Sequence, residues 1–221
     1  MLRDGGTNWN SSRAYVIAHL CRLIATRVFA LLGALLFASV ANAQFQFDQA
    51  TVAKLPPYCR NALVYRDQVP DGNNKAAIEQ WFRVMGGGFI NIHHYCHGLQ
   101  LTNRALFDSR TKMERDRALR LSIPEFDYVI QRADSTFSLL PEILTKKGEN
   151  LFLLERDAEA IATLVKATEV RRDYWPPYAA LSDHYKKIGK LDEARNWLKT
   201  GLAASAGAKA LERRLRELPA N

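Results

Sequence analysis

The chain has 221 residues and a formal net charge of +8. Residues 1–43 hold four arginines and one aspartate, so residues 44–221 carry a net charge of +5 and are short enough to form one domain. That excess is small, and no Lys/Arg-rich run alternates with aromatic residues, which argues against nucleic acid as a partner.

The first 43 residues have the pattern of an export signal. Arginines precede an apolar run at residues 28–40, and the run ends at the small-x-small sequence Ala41-Asn42-Ala43. The run has 13 residues, fewer than the roughly 20 that span a bilayer. We therefore expect cleavage after Ala43, a periplasmic product, and no integral membrane span in the mature chain.

Residues 44–74 are predicted to be extended and rich in turns, because residues 67–74 read DQVPDGNN. After cleavage the chain keeps two cysteines, Cys59 and Cys96. An even pair of cysteines in an oxidising compartment favours a disulfide between them. Such a loop would contribute about 3–4 kcal/mol to stability. A redox or metal role for the two thiols is the alternative.

Residues 75–108 are predicted to form a pair of helices. Apolar residues recur at helical spacing in Lys75–Met85, and a second helix is expected over residues 89–107. Three glycines at 86–88 separate the two. A phosphate-binding loop is disfavoured because no Lys-Ser/Thr follows the glycines and no strand precedes them.

Three histidines cluster in the second of these helices, at His93, His94 and His97. His93 and His97 lie one helical turn apart on the same face, a spacing that can chelate a transition metal. The helix lacks the glutamate of an H-E-x-x-H zinc-protease motif, and Cys96 is the one further ligand evident nearby. The favoured interpretation is packing and hydrogen bonding, with a metal site or acid–base catalysis as alternatives.

Residues 144–211 contain two consecutive units of 34 residues. Large residues of the later unit and their counterparts in the earlier one are Tyr178 and Leu144, Tyr185 and Leu151, and Leu198 and Leu164. Small residues at the expected helix crossings are Ser182 and Gly148, Ala194 and Ala160, and Gly201 and Ala167. This pattern resembles the tetratricopeptide repeat (TPR), a helix–turn–helix unit of 34 residues.

The resemblance implies an all-α fold, a TPR-like α-solenoid of stacked antiparallel helix pairs, since one pair cannot bury its apolar face alone. Units are expected at 141–174 and 175–207, after a degenerate unit within residues 109–140. In the degenerate unit, the capping-box pattern at residues 122–125 predicts a helix start, and Phe126 replaces the small residue expected at the crossing. Residues 209–218 are predicted to form a C-terminal capping helix.

The TPR resemblance also implies a concave groove, lined by the first helix of each unit, that binds a protein or peptide partner. Mapped onto this sequence, the partner-binding residues are Lys146, Glu149 and Phe152 from the earlier unit, and Asp183, Lys186 and Lys187 from the later one. The lysine and asparagine positions that clamp a C-terminal carboxylate in one TPR subclass are not matched here.

The sequence thus favours an exported scaffold or adaptor of the cell envelope, with no cofactor and no catalysis. The competing hypothesis is a metal-binding or enzymatic envelope protein that uses His93, His94 and His97. No nucleophile turn of the G-x-S-x-G type and no phosphate-binding loop accompanies that cluster.

Overall fold

The computed structural model describes residues 49–219, which belong to one compact unit built from helices and turns, with no strand in this range. Its α-helices are α1 Gln49–Ala53, α2 Lys75–Met85, α3 Ile92–Asn103, α4 Lys112–Arg132, α5 Leu140–Leu153, α6 Asp157–Val170, α7 Pro176–Lys187, α8 Leu191–Ala204 and α9 Lys209–Glu217. The all-α prediction is therefore confirmed for the part described. None of these helices is long and apolar enough to cross a membrane. The predicted export signal and residues 44–48 lie outside the described range.

The segment before α2 consists of short helices and turns, and a disulfide attaches it to the rest of the unit. It consists of α1, a 3₁₀ helix at Pro57–Asn61 and a series of turns. Cys59 is bonded to Cys96 in α3, so the predicted disulfide is confirmed. Both cysteines are fully buried, and Tyr58 and Tyr65 beside them belong to the same core as α3.

Helix α4 begins eleven residues earlier than the capping pattern at residues 122–125 predicts, and that prediction is wrong. The Thr111 hydroxyl accepts the amide of Glu114, 3.2 Å away, and the Glu114 carboxylate accepts the amide of Arg110 at 2.9 Å. Thr111 is thus the residue that caps the helix. Ser122 lies inside α4 and donates its hydroxyl to the carbonyl of Leu119.

Consecutive helices pack against each other in pairs, α3 with α4, α5 with α6 and α7 with α8. The main neighbour of α3 is therefore α4, whereas the sequence analysis paired it with the helix at 75–85. Two close approaches recur in these pairs. A Cβ on Gly98 would overlap the ring of Phe126, and a Cβ on Gly148 would lie 2.6 Å from Cγ of Leu164.

These two contacts show how the residues of the α3–α4 pair correspond to those of the α5–α6 pair, and the correspondence differs from the predicted one. Ser122, Phe126 and Val129 in α4 are buried and have the same spacing as Ala160, Leu164 and Ala167 in α6. Phe126 is therefore the counterpart of Leu164, a large residue over a glycine, and Ser122 is the small residue of the pair.

A buried polar cluster joins three helices. The Asn150 side chain in α5 is 1% exposed, and its Nδ2 donates to the Thr102 hydroxyl of α3 at 2.6 Å and to the Ser122 hydroxyl of α4 at 2.7 Å. Each hydroxyl in turn donates to a backbone carbonyl of its own helix. All three side chains are thus hydrogen-bonded, as buried polar groups must be.

The last helix, α9, covers the end of the α7–α8 pair. Leu211 of α9 is fully buried, and a Cβ added to Gly201 would lie 2.7 Å from its side chain. Short charged helices of this kind shield the last apolar face of a helical array from water.

Candidate functional site

A groove of about 420 Å³ lies between α5 and α7 and is bordered by α9. Three of the six partner-binding residues predicted from the sequence line it, namely Lys146, Glu149 and Asp183. The remaining lining residues are Glu142, Thr145, Tyr174, Trp175, Pro176, Ala179, Ala180 and Arg214. Residues of α5 and of α7 therefore line one cavity.

The charged groups of the groove are arranged in pairs. Lys146 Nζ lies 2.8 Å from Glu149 Oε2 on α5, and Arg214 Nε of α9 lies 3.1 Å from both carboxylate oxygens of Asp183 on α7. These pairs are partly exposed to water, so each adds at most about 1 kcal/mol to stability. They can open when a charged ligand offers better partners.

Among the acidic residues of the groove, Glu142 is the one whose carboxylate has no cationic partner there. Its Oε1 accepts the hydroxyl of buried Tyr95, 2.7 Å away. Burial and the nearby carboxylates of Glu142 and Glu149 together raise the pKa of Tyr174 to about 12, so this phenol stays neutral at physiological pH. With three acids and two bases among its lining residues, the groove favours a ligand that carries positive charge.

Two aromatic residues on the turn between α6 and α7 complete the groove. Trp175 is 37% exposed, and Tyr174 and Pro176 flank it. The sequence analysis missed these residues, as well as Arg214. The signal available for the aromatic residues was the W-P-P run at the predicted start of the later unit.

The other three predicted residues are not part of this cavity. Phe152 is half-buried, and its ring stacks on His184 with centroids 4.1 Å apart and planes 8° from parallel. Lys186 and Lys187 are exposed near the end of α7. The groove therefore ends at Glu149 on α5 and at Asp183 on α7, before the last turn of either helix.

The segment before α2 covers the face of α3 that corresponds to the groove-lining face of α5. Ile92, Tyr95 and Leu99 of α3 are buried in one core with Tyr58 and Leu55 from the segment before α2. The disulfide holds this cover in place. The open groove thus starts at α5.

The three histidines lie between α3 and α4, away from the groove. His94 Nδ1 lies 2.7 Å from Glu125 Oε2, and His97 Nδ1 lies 3.1 Å from Glu125 Oε1. Partial burial by itself would raise the pKa of Glu125, but the hydrogen bonds and charges of His97 and His94 hold it below its usual value. The carboxylate is therefore ionised, and both Nδ1 atoms donate to it.

His93 does not join the other two histidines in a chelate. Its Nδ1 lies 3.0 Å from the carbonyl oxygen of Ile90, and burial, followed by the neighbouring His94, lowers its pKa. Cys96 is bonded to Cys59 and is unavailable as a thiolate. Within residues 49–219, no group of three or more His, Cys, Asp or Glu side chains is placed to hold a metal ion.

Comparisons with models of protein families, with curated proteins and with solved structures find no match to this chain.

Proposed function

We propose that this protein is an exported scaffold with a TPR-like solenoid, which binds a protein or peptide partner in the cell envelope without catalysing a reaction. The first support for this proposal is the packing of the helices. Helix α5 contacts both its partner α6 and the equivalent helix α7 of the next pair, and α7 contacts α9 in the same way. First helices that touch one another along an array leave a groove on one side.

The disulfide supports the exported part of the proposal. Disulfides form and persist in oxidising compartments such as the periplasm and are rare where thiols are kept reduced. The bond between Cys59 and Cys96 joins two fully buried residues of the core. It agrees with the export signal expected over residues 1–43.

The observation that carries the binding function is the groove between α5 and α7. It combines an exposed aromatic ring at Trp175 with an acidic group at Glu142 that lacks a cationic partner there. Aromatic side chains in water-excluding clefts are the residues that most often dominate protein–protein binding energy. We infer that the partner is a segment with an apolar or proline side chain that packs on Trp175 and a Lys or Arg that faces Glu142.

Co-purification of the tagged protein from an envelope fraction tests this function. The groove variant combines Glu142→Gln with Trp175→Ala, which removes the ring and the negative charge that lacks a cationic partner, while the new amide oxygen can still accept the hydroxyl of Tyr95. We expect it to retain about a tenth or less of the partner, because loss of a central aromatic contact typically costs about 2 kcal/mol or more, which corresponds to about thirtyfold in affinity.

The matched control changes the same types of side chain outside the groove. Glu193→Gln and Val84→Ala alter an exposed glutamate on α8 and an exposed apolar residue on α2, and this variant should bind the partner as the wild type does. Equal recovery of the partner with the groove variant and the control would contradict the proposal.

A further inference from the structure

The turn that joins α3 to α4 projects large apolar side chains into solvent. It starts with one π-helical turn at Arg104–Asp108, and we call residues 104–117 the tip. Phe107 and Met113 are 76% and 75% exposed, the highest values among the large hydrophobic residues that the structure describes, and Leu106 is 49% exposed. Such a cluster is costly in water and usually marks a surface that binds something.

Basic side chains surround this apolar cluster. The tip contains five basic and three acidic residues. Asp116 pairs with both Lys112 and Arg115, and the Glu114 carboxylate is bonded to a backbone amide. Arg104, Arg110 and Arg117 form no ion pair with any residue in the described range 49–219.

Two of these arginines lie close together. Arg104 and Arg117 line the same cavity of about 300 Å³ between the end of α3 and the start of α4. Glu114 lines the cavity as well, so two positive charges meet one negative charge there. Arg117 follows Met113 by four residues in α4 and so lies on the same face of that helix. An anionic surface is the complement of this arrangement.

The tip lies on the same edge of the unit as the turn between α5 and α6. Leu154, in that turn, packs against the cluster of Ala105, Ala118 and Leu119 at the base of the tip. Leu153 beside it is 37% exposed. The tip and Leu153 are thus separate from the groove, which residues 142–149 of α5 line.

We propose that the tip binds the surface of a membrane rich in anionic phospholipid. Phe107 and Met113 enter the interface between headgroups and acyl chains, while Arg104, Arg110 and Arg117 contact headgroup phosphates. Phe107 and Met113 have three-quarters of their surface exposed, and apolar side chains that project into solvent to this extent fit a compliant lipid surface better than a preformed protein cleft. Basic residues strengthen such binding when the lipid is anionic.

Flotation of the full chain with vesicles tests this proposal. Vesicles of phosphatidylcholine alone are compared with vesicles that contain 30 mol% phosphatidylglycerol. Partition of the wild type should be stronger to the anionic vesicles and should fall as salt is added. The variant Phe107→Ser/Met113→Ser should lose on the order of tenfold or more in partition, because full burial of even one such side chain contributes about that much.

The charge variant Arg110→Glu/Arg117→Glu should lose its preference for anionic vesicles. The control variant Val84→Ser/Ile90→Ser changes two apolar residues that are 56% and 51% exposed outside the tip, and its partition should equal that of the wild type. Residues 1–48 are the same in all variants, so any binding through them cancels in the comparison.

A second readout is local to the tip. In a Phe107→Trp variant, the emission added by the new indole should shift to shorter wavelength with anionic vesicles, because the ring leaves water. Equal flotation of the tip variants and the control, or an unshifted emission of the indole at position 107, would overturn the proposal. The groove variant Glu142→Gln/Trp175→Ala should still float, so a failure of the groove hypothesis and a failure of this one are distinguishable.

Discussion

Replacement of Cys59 and Cys96 together by alanine is expected to lower the free energy of unfolding by about 3–4 kcal/mol. The disulfide joins residues 37 positions apart, and without it the unfolded chain regains the freedom of that loop. For a domain of this size the melting temperature should fall by about 10 °C. The 3₁₀ helix at Pro57–Asn61 would then be held over α3 by packing alone.

Thermal unfolding with and without a thiol reductant measures this effect. The reductant should bring the melting temperature of the wild type down to that of the alanine variant, and it should leave the variant unchanged. If the variant and the oxidised wild type unfold at the same temperature, the disulfide does not stabilise the fold as described.

The second large effect is expected at Asn150, in the polar cluster that joins α3, α4 and α5. In Asn150→Asp the side chain keeps its shape but replaces a donor by an acceptor. The hydroxyls of Thr102 and Ser122 would have to leave their backbone carbonyls to donate to it. Because a charge is also buried, we expect a loss of about 3 kcal/mol at pH 7.

The pH dependence of this variant identifies the cause. Burial raises the pKa of the introduced carboxyl above the value of about 4 that it has in the unfolded chain. Its destabilisation relative to the wild type should therefore grow as the pH rises from about 4, and level off above the folded-state pKa. Denaturant unfolding of both proteins at pH 4.5 and pH 7 measures it.

Asn196→Asp is the matched control for this variant, since Asn196 is exposed on α8. It should change the free energy of unfolding by no more than about 0.5 kcal/mol. An Asn150→Asp variant as stable at pH 7 as the Asn196→Asp control would show that the buried cluster contributes little to the packing of the three helices.

The helices of the two clear repeat units could be predicted because their boundaries depend on local chemistry. Pro141 and Pro176 lie in the first turns of α5 and α7, where a missing amide donor has little cost. Gly189 has φ of +76° just after α7, a conformation that favours glycine. None of these signals requires knowledge of the tertiary fold.

The start of α4 was misjudged because the pattern at residues 122–125 has two meanings. A serine followed by a glutamate three residues later can cap a helix, but the same serine inside a helix can bond to a preceding carbonyl, as Ser122 does with Leu119. Ser122 takes the second role because Thr111 already caps the helix at an earlier position. The register of the first helix pair followed from the same error.

The site was predictable only where repeat spacing determines it. Lys146, Glu149 and Asp183 occupy positions that the repeat places on one side, and they do line one cavity. Trp175 lies on a turn and Arg214 belongs to α9, so their places depend on packing that spacing does not encode. Similarly, helical spacing places His94 and His97 on α3, but Glu125, which binds both, comes from another helix.

Site-specific photocrosslinking in living cells tests the central claim, that the groove binds a partner. A photoreactive phenylalanine derivative is placed at Lys146 or Trp175 in the groove, and at Lys199 or Val84 outside it. The groove hypothesis predicts that both groove positions crosslink to the same partner and that the two outside positions do not. Crosslinks from the outside positions alone, or from none of the four, would contradict it.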